Sequence, residues 1–427
     1  MNESFLQYVW QLQYFNKSDL TTTAGEKLNI IKPGILNGDA GPDFTQARVQ
    51  IDSIEWNGSV EVHIQSSGWI EHKHQDDPAY ENVVLHVVWQ EIKPVYRKDG
   101  TRLPTLEIKD RVDSGLLKSF QKLVNTSATI PCERYFPQVD PIVKHAMIDR
   151  ALMKRLEAKA ARVMERLNEN QGDWEQTTYQ VLASNMGFKI NQEPFDRLAH
   201  ALPYKIVQKH SHNLVQLEAL LFGQAGFLVA KSKDTYVTEL FKEYQFLSNK
   251  YQLQKFQLTA SQWKFLRLRP ANFPTLRIAQ LAALLQKSRN LCSAILEATE
   301  FTTLAAFFDV QASDYWKTHY RFGKPAKGAP AIGISSVENM LINTVAPLLV
   351  AYGQQHDDMK LIDRAVTVLQ ALPAENNKVT RLWNSLGYTS KTAVDSQGLL
   401  ELYTSYCKNR ECLNCQIGNS ILKPQPL

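Results

Sequence analysis

The chain has 427 residues, 44% hydrophobic and 21% charged, which is ordinary globular usage. These proportions exclude a low-complexity or largely disordered chain, and the length favours two or three domains. No basic segment precedes an apolar run at the N-terminus, and no apolar stretch approaches the roughly 20 residues that span a bilayer. We therefore expect a cytoplasmic protein without membrane contact.

The charge is unevenly distributed along the sequence. Residues 1–130 carry 13 basic and 17 acidic side chains, whereas the remainder carries 35 and 26. An acidic front and a basic rear are expected if a cation binds in front and a polyanion such as nucleic acid binds behind. Solvated helix faces produce the same asymmetry, so both interpretations stay open.

The first 130 residues predict one helix followed by a sheet. Residues 4–15 have apolar side chains at helical spacing, and the next runs alternate and are separated by turn signals. The predicted strands are 28–36, 44–51, 55–65, 83–89 and 104–109. Together they indicate a mixed sheet of about five strands.

The rest of the chain is predicted to be mostly helical, which makes the fold class α+β. Apolar residues recur every three or four positions after Pro131 and Pro137. The predicted helices beyond the first long one are 176–186, 194–209, 213–231, 235–247, 260–267, 274–286, 291–299, 301–308, 336–352, 359–371 and 378–385. We expect a domain at 1–128 and a helical domain at 129–427, with a further boundary near 323–333, where residues 323–330 form a basic loop.

An acidic constellation marks the predicted sheet. Residues 38–44 place Asp43 after Pro42 at a strand entrance, and residues 58–65 alternate so that Glu61, His63 and Gln65 share one face. A neighbouring strand can bring Asp43 beside Glu61, and two adjacent carboxylates repel unless a cation lies between them. The sequence therefore predicts a site for Mg²⁺ or Mn²⁺. The alternative is a turn residue at Asp43 and an ordinary solvated strand face.

The spacing of these residues resembles the core of PD-(D/E)XK nucleases. Pro42-Asp43 is followed eighteen residues later by Glu61-Val62-His63, and the resemblance covers the N-terminal third. It implies a restriction-endonuclease-like sheet in which Asp43 and Glu61 bind the metal, His63 stands where the family has lysine, and Gln65 orients water or phosphate. The departure at His63 leaves open whether the site is active or degenerate.

Two further acidic features are candidates for the same site. Glu3 on the first helix is a candidate third carboxylate. Glu107-Ile108-Lys109 has the complete E-x-K form but lies 64 residues after Asp43, which is long for adjacent strands, so it ranks second.

Nearly the whole chain also resembles an uncharacterised bacterial family of unknown function. The shared features are GPDF at 41–44, GSVEVH at 58–63, NVVLHVVW at 82–89 and a C-terminal C-x-x-C. This resemblance implies no activity. The functional interpretation therefore depends on local chemistry.

Four histidines fall close together in the sequence, and three of them suggest a different metal. His63, His72 and His74 combine a strand and a loop, and imidazole suits Zn, Fe or Ni. This pattern favours a His/carboxylate metalloenzyme acting on a small molecule. His86 is interpreted as a core histidine unless it faces His63, and surface exposure is the alternative for the loop pair.

Three cysteines, Cys407, Cys412 and Cys415, lie within nine residues near the C-terminus. Zn²⁺ or an iron–sulfur cluster requires a fourth ligand, and Cys132 at the start of the helical region is the predicted one. Cys292 lies in an apolar helix and is interpreted as core. Thiols without metal, or a redox pair at Cys412 and Cys415, remain alternatives.

The helical region carries basic residues that suit nucleic acid. Arg155, Lys159, Arg162 and Arg166 form one stripe, for which a solvated face is the favoured interpretation. Residues 263–270 and 319–324 interleave aromatic and basic side chains, a composition suited to base stacking, although aromatics at helical spacing are more often core. An Asn pair, Asn339 and Asn343, predicts hydrogen bonds between helices.

The combined hypothesis is a metal-dependent, nuclease-like protein that cleaves or binds nucleic-acid phosphodiesters. A His/carboxylate metalloenzyme with a small-molecule substrate and a non-enzymatic interaction protein are the two alternatives. The choice between DNA and RNA, the oligomeric state and the pathway are not determined by the sequence.

Overall fold

The computed structural model describes residues 1–326 and 331–423, which form two compact units. Unit 1 consists of Met1–Ile148 and Leu402–Leu427, and unit 2 consists of Asp149–Glu401. This division differs from a boundary near residue 128, because the C-terminal segment belongs to unit 1. The expected boundary near 323–333 includes residues 327–330, which lie outside the described residues.

Specific hydrogen bonds hold the C-terminal segment within unit 1. The guanidinium of Arg410 donates to the carbonyl oxygens of Ala128 at 2.9 Å and Thr126 at 3.0 Å. The backbone N–H of Gln416 donates to the sulfur of Met147 at 3.3 Å. Sequence periodicity gives no information about such contacts, so unit 1 is discontinuous in a way that the sequence did not predict.

Unit 1 is built on a six-stranded mixed sheet. Its strands are β1 (Leu28–Lys32), β2 (Ile35–Leu36), β3 (Phe44–Ile51), β4 (Ile54–Gln65), β5 (Val83–Gln90) and β6 (Thr105–Glu107). The order is β1-β3-β4-β5-β6, with β2 paired to β3. The first pairs are antiparallel, whereas β4–β5 and β5–β6 are parallel. A mixed sheet followed by helices confirms the predicted α+β class.

The predicted strands agree closely with the observed ones. Alternating burial in β3 reflects one face packed on the core. The run expected at 28–36 is split into two strands at Pro33-Gly34, because Gly34 adopts a φ of 101°, a conformation that favours glycine. A two-stranded sheet in unit 2 pairs β7 (His319–Arg321) with β8 (Lys324–Pro325).

Helices cover the sheet of unit 1 and make up most of unit 2. In chain order they are α1 (Glu3–Gln11), α2 (Gly68–Glu71), α3 (Ser114–Val124), α4 (Pro141–Glu169), α5 (Trp174–Met186), α6 (Phe188–Ala201), α7 (Tyr204–His210), α8 (Leu214–Gln224), α9 (Thr235–Tyr251), α10 (Pro274–Lys287), α11 (Leu291–Glu297), α12 (Phe301–Phe307), α13 (Asp314–Lys317), α14 (Ile334–Met340), α15 (Ala346–Gln355), α16 (Met359–Ala371), α17 (Lys378–Ser385), α18 (Ala393–Glu401) and α19 (Gln416–Leu422). Two π-helical segments, Leu341–Val345 and Leu402–Cys407, continue α14 and α18.

Three helix predictions were wrong. The helix expected at 213–231 ends early, at Gln224. The helix expected at 194–209 is divided into α6 and α7 around Pro203, which has no N–H to continue a helix. The stretch at 260–267 forms only a short 3₁₀ turn at Ala260–Gln262. There Trp263 is buried and donates its indole N–H to the carbonyl oxygen of Ala225, so its aromatic side chain serves the core.

One helical stretch is long and apolar enough to cross a bilayer by length and composition. It is Ile334–Gln355, and 61% of its apolar window is buried within the fold. The expectation that no apolar stretch reaches that length was therefore wrong. Burial of this kind is typical of a core helix.

A buried carboxyl group in α8 couples the stability of unit 2 to pH. Glu218 is 1% exposed and accepts a 2.7 Å hydrogen bond from the hydroxyl of Tyr236. Burial raises the pKa of Glu218 from 4.5 to about 7. Because this folded-state pKa exceeds the unfolded value, ionisation destabilises the folded state progressively as the pH rises from 4.5 to about 7.

We predict that Glu218→Gln stabilises unit 2 at pH 8, because the amide keeps an acceptor for Tyr236 without becoming charged. The expected gain in the free energy of unfolding is at most about 3 kcal/mol, and it shrinks toward pH 5. Urea unfolding at the two pH values measures it. Glu239→Gln, at an exposed position of α9, is the control. An equal gain at both pH values would contradict the assignment.

Candidate metal centre

Reciprocal hydrogen bonds join the start of β3 to the middle of β4. The backbone N–H of Asp43 donates to Glu61 Oε2 at 3.0 Å, and the backbone N–H of Val62 donates to Asp43 Oδ2 at 3.0 Å. Gln7 on α1 donates to the other oxygen, Asp43 Oδ1, at 2.8 Å. Both carboxylate oxygens of Asp43 are therefore engaged, and Oε1 of Glu61 is directed elsewhere.

Two histidines contact Oε1 of Glu61, and a third contacts one of them. Oε1 lies 3.3 Å from His74 Nε2 and 3.7 Å from His63 Nε2, and His63 Nε2 lies 3.2 Å from His72 Nδ1. One ligand atom from each histidine falls within 4.8 Å of the others. A tetrahedral zinc site with bonds of about 2.0 to 2.1 Å has ligand–ligand edges of about 3.3 Å. The three short contacts are close to that edge, and the wider histidine separations would have to shorten around a bound ion.

The environment of His74 suits a metal ligand. Its ring stacks on Tyr80 with 3.8 Å between centroids, and the residue is only 9% exposed. Its Nε2 has no hydrogen-bond partner within residues 1–326 and 331–423, although Glu61 is 3.3 Å away. Buried polar atoms are normally satisfied. A bound ion would satisfy this ring nitrogen and the carboxylate together.

Neighbouring residues hold His63 in its orientation. His63 Nδ1 lies 2.9 Å from Nε2 of the fully buried His86, so His86 faces His63 instead of a backbone group. When His63 Nδ1 donates to His86, His63 Nε2 has its lone pair available for a metal. Gly68 packs on the other side, since a Cβ there would lie 2.5 Å from His63 Cδ2.

The site's groups have strongly shifted pKa values, chiefly because they are buried. Burial raises the pKa of Asp43 to about 6, and burial followed by the negative charge of Asp43 raises the pKa of Glu61 to about 8. Burial lowers the pKa of His63 to about 3 and that of His74 to about 4. Both rings are neutral at pH 7, the form in which imidazole binds metal ions. His63 therefore does not reproduce the positive charge of a lysine.

The structure brings together some of the predicted site residues and separates others. Glu3 is near enough that its charge contributes to the raised pKa of Asp43 and Glu61. Gln65 is exposed near the end of β4. The second candidate motif makes other contacts, because Glu107 accepts from the backbone N–H of Glu91 and Lys109 donates to Gln90.

A cavity of about 440 Å³ adjoins the histidine cluster within unit 1. His74 and Tyr80 line it together with two cationic residues, Arg97 and Lys98, and three carboxylates, Asp77, Glu81 and Asp99. Tyr80 is close to the histidines in sequence, but no local signal in the sequence predicts that Arg97 and Lys98 lie beside them.

The four cysteines that were predicted to act together line one small cavity of unit 1. Cys132, Cys407, Cys412 and Cys415 are all buried, and none is in a disulfide. Cys292 is buried in α11, as expected for a core residue. The spatial grouping predicted for the cysteines is therefore present.

In unit 2, most of the basic stripe on α4 does not form a solvated face. Arg155, Lys159, Arg162 and Arg166 line a cavity of about 530 Å³, and only Arg162 among them is exposed. Asn343, which also lines this cavity, accepts a 2.9 Å hydrogen bond from Lys159. Hydrogen bonds between helices at this asparagine were predicted.

The aromatic side chains of the two basic runs pack inside unit 2. Phe322 contacts Phe222 and Trp316, and Arg321 covers the ring of Phe265 with 4.3 Å to its centroid. Those rings are engaged in packing. The core interpretation therefore fits them better than base stacking.

Comparison with known proteins assigns the chain to a family. Residues 3–378 match the family described as "Protein of unknown function (DUF2851)", and the chain belongs to it. This confirms the resemblance to a family of unknown function. No match was found among curated proteins or among solved structures.

We predict that Gly68→Ala weakens metal binding by about tenfold to a hundredfold, as expected when a group that orients a ligand is disturbed. The new Cβ would collide with the His63 ring, because the ring lies 2.5 Å away. Zinc competition against a chromophoric chelator measures the affinity. Gly38→Ala is the matched control, since nothing lies within 4 Å of its Cβ position. Equal affinities for the two variants would contradict the prediction.

Proposed function

We propose that this protein is a metal-dependent, nuclease-like phosphodiesterase whose metal is held by Glu61, His63, His72 and His74. The observation that carries the proposal is the convergence of Glu61 Oε1 and three imidazole nitrogens at spacings of 3.2, 3.3 and 3.7 Å. The strand order around them supports it, because an antiparallel β3–β4 pair followed by a parallel crossover to β5 is compatible with the resemblance to PD-(D/E)XK nucleases.

The ligand set favours zinc, iron or nickel over Mg²⁺ and Mn²⁺. Magnesium and manganese prefer oxygen ligands, whereas imidazole suits Zn, Fe and Ni. Asp43 has both carboxylate oxygens in hydrogen bonds, which favours a positioning role for it over direct ligation. Zinc therefore suits this centre better than either ion expected from the sequence.

Hydrolysis would form a bond between a water oxygen and phosphorus and break one ester P–O bond, with a proton passing to the leaving oxygen. A metal ion at this centre would supply charge stabilisation at the phosphate oxygens. The chain itself orients Glu61 through the N–H of Asp43 and His63 through His86. The exposed His72 lies on the solvent side of the cluster, where substrate can approach.

The cavity beside His74 has charged walls of both signs. Arg97 and Lys98 line it, and so do Asp77, Glu81 and Asp99. The two cations would partly neutralise a phosphate group, whereas the three carboxylates favour a cation beside it. Tyr80 provides an aromatic wall that stacks on His74.

Unit 2 has a second feature that suits a polyanion. Arg162 and Lys189 are exposed at the cavity of about 530 Å³, and neither forms an ion pair within the described parts of the chain. The π-helical segment Leu341–Val345 contributes Asn343 to this cavity, and π-helical turns are frequent at functional sites. We propose that this cavity, the unit 2 cavity, contacts nucleic-acid phosphates.

A metalloenzyme acting on a small molecule is the second candidate. A cavity of about 440 Å³ at the histidine cluster is within the range of small-molecule sites, and the histidine-rich ligand set is equally compatible with that chemistry. Cleavage of bis(p-nitrophenyl) phosphate without cleavage of DNA or RNA oligonucleotides would favour this candidate.

We predict that Glu61→Gln and His74→Ala each abolish stoichiometric metal binding and lower Mn²⁺- or Zn²⁺-dependent phosphodiester cleavage by orders of magnitude. His63→Lys should also lose metal, because the buried site disfavours a charged side chain. Metal content and cleavage of oligonucleotides are the measurements. Asp39→Asn, at an exposed position in the loop before β3, is the control.

The variant Asp43→Asn tests whether Asp43 is a metal ligand or only positions Glu61. A loss of metal as complete as that of Glu61→Gln would mean that both carboxylates bind the metal. Retained metal with weakened affinity would mean that Glu61 and the histidines bind it and that Asp43 only positions Glu61. Full metal binding and full activity in Glu61→Gln would refute the proposal.

We predict that nucleic-acid binding weakens as salt rises, because neutralised phosphates release counterions. Replacing Arg162 or Lys189 by Ala should lower the slope of log K against log salt by about one. Fluorescence anisotropy at several salt concentrations measures it. Arg197→Ala, which removes an exposed cation paired with Glu193 on α6, is the control. Nucleic-acid binding that does not change with salt concentration would exclude the polyanion role, and so would a lack of binding at low salt.

A further inference from the structure

Four buried thiols line one cavity of unit 1, and none of them belongs to the histidine cluster. Cys132 precedes α4, Cys407 ends a π-helical segment, and Cys412 and Cys415 flank a 3₁₀ turn. All four line one cavity, and each is only 6–7% exposed. Three of them come from the C-terminal segment and one from the N-terminal part of the chain. The cluster is therefore a contact between the two sequence segments of unit 1.

The local backbone is built for close approach around the thiols. The N–H of Cys415 donates to the carbonyl oxygen of Cys412 at 3.3 Å, which closes the turn between them. Gly418 packs against the same turn, since a Cβ there would lie 2.0 Å from the carbonyl oxygen of Cys412. No larger residue fits at that position without moving the turn.

The size of the cavity limits what the thiols can hold. Its volume is about 20 Å³. A volume of roughly 10 to 15 Å³ accommodates one water molecule, so this cavity has room for a single ion. An iron–sulfur cluster brings several iron and sulfide atoms and would require the walls to move apart.

We infer that Cys132, Cys407, Cys412 and Cys415 bind one structural Zn²⁺ ion that fastens the C-terminal segment to the rest of unit 1. Four sulfur ligands in a closed, buried setting are typical of structural zinc sites, in contrast to catalytic sites with an open position. The zinc site is separate from the proposed phosphodiesterase centre and does not depend on it.

Hydrogen bonding beside the cluster supports this assignment. The guanidinium of Arg410, between Cys407 and Cys412, donates to the carbonyl oxygens of Ala128 and Thr126. The C-terminal segment is therefore tied to the N-terminal part of unit 1 at the position of the thiols.

The test uses the full chain loaded with Co²⁺ in place of zinc. Cobalt bound by thiolates gives intense charge-transfer absorption that nitrogen and oxygen ligands do not give, so the cysteine site is distinguished from the histidine site. We expect this absorption in the wild type and in His74→Ala, and its loss in Cys412→Ser together with a lower melting temperature. Cys292→Ser, at a buried cysteine outside the cluster, should retain it.

Three results would overturn the zinc site. The first is a wild type without thiolate–cobalt absorption, and the second is purified protein with iron, acid-labile sulfide and visible absorption. The third is purified protein in which these cysteines are oxidised to disulfides. If Cys412→Ser does not fold, the zinc-loaded wild type can be titrated with a mercurial reagent that reacts with thiols. A zinc-sensitive dye then measures the released metal, and we expect one zinc per chain to be released as the thiols react.

Discussion

The candidate metal centre depends on the exchange of hydrogen bonds between Asp43 and the Glu61-Val62 segment. A backbone N–H holds one oxygen of Glu61, and a carboxylate holds the N–H of Val62. This exchange sets how the start of β3 meets β4, where the register shifts between Phe44 and Ala47. Because Oε2 of Glu61 accepts a hydrogen bond from Asp43, Oε1 is directed at the rings of His63 and His74. This direction places the carboxylate within the histidine cluster.

Burial gives this arrangement its chemistry. A carboxyl group and several imidazoles withdrawn from water all favour their neutral forms, which is the reason that the pKa of Glu61 rises while the pKa values of His63 and His74 fall. A cation would reverse the preference of Glu61 without competing against protons at the rings. A bound ion would give these buried polar atoms the partners that they require.

Unit 1 carries two clusters of metal-ligating residue types in contrasting settings. The histidine cluster includes the exposed His72 and adjoins a cavity lined by charged residues of both signs, an open setting that suits a reactive centre. The cysteine cluster is closed and joins distant parts of the chain, as a structural centre requires. Hard and soft ligands are thus separated, which allows different ions to occupy the two sites.

The sequence alone determined the elements and the residue types of these sites. Alternation and turn signals predicted β3, β4 and β5 almost to the residue, because those signals are local. Cysteine spacing also predicted the group of Cys407, Cys412 and Cys415, and the place of Cys132 at the start of the helical region made it the expected fourth member. Only the tertiary structure decided that the two carboxylate oxygens of Asp43 accept hydrogen bonds from Gln7 and Val62. It also decided that His86 faces His63 and that Arg97 lines the cavity. These contacts depend on strand register and on the path of the crossover between β4 and β5, and neither produces a periodic pattern in the sequence.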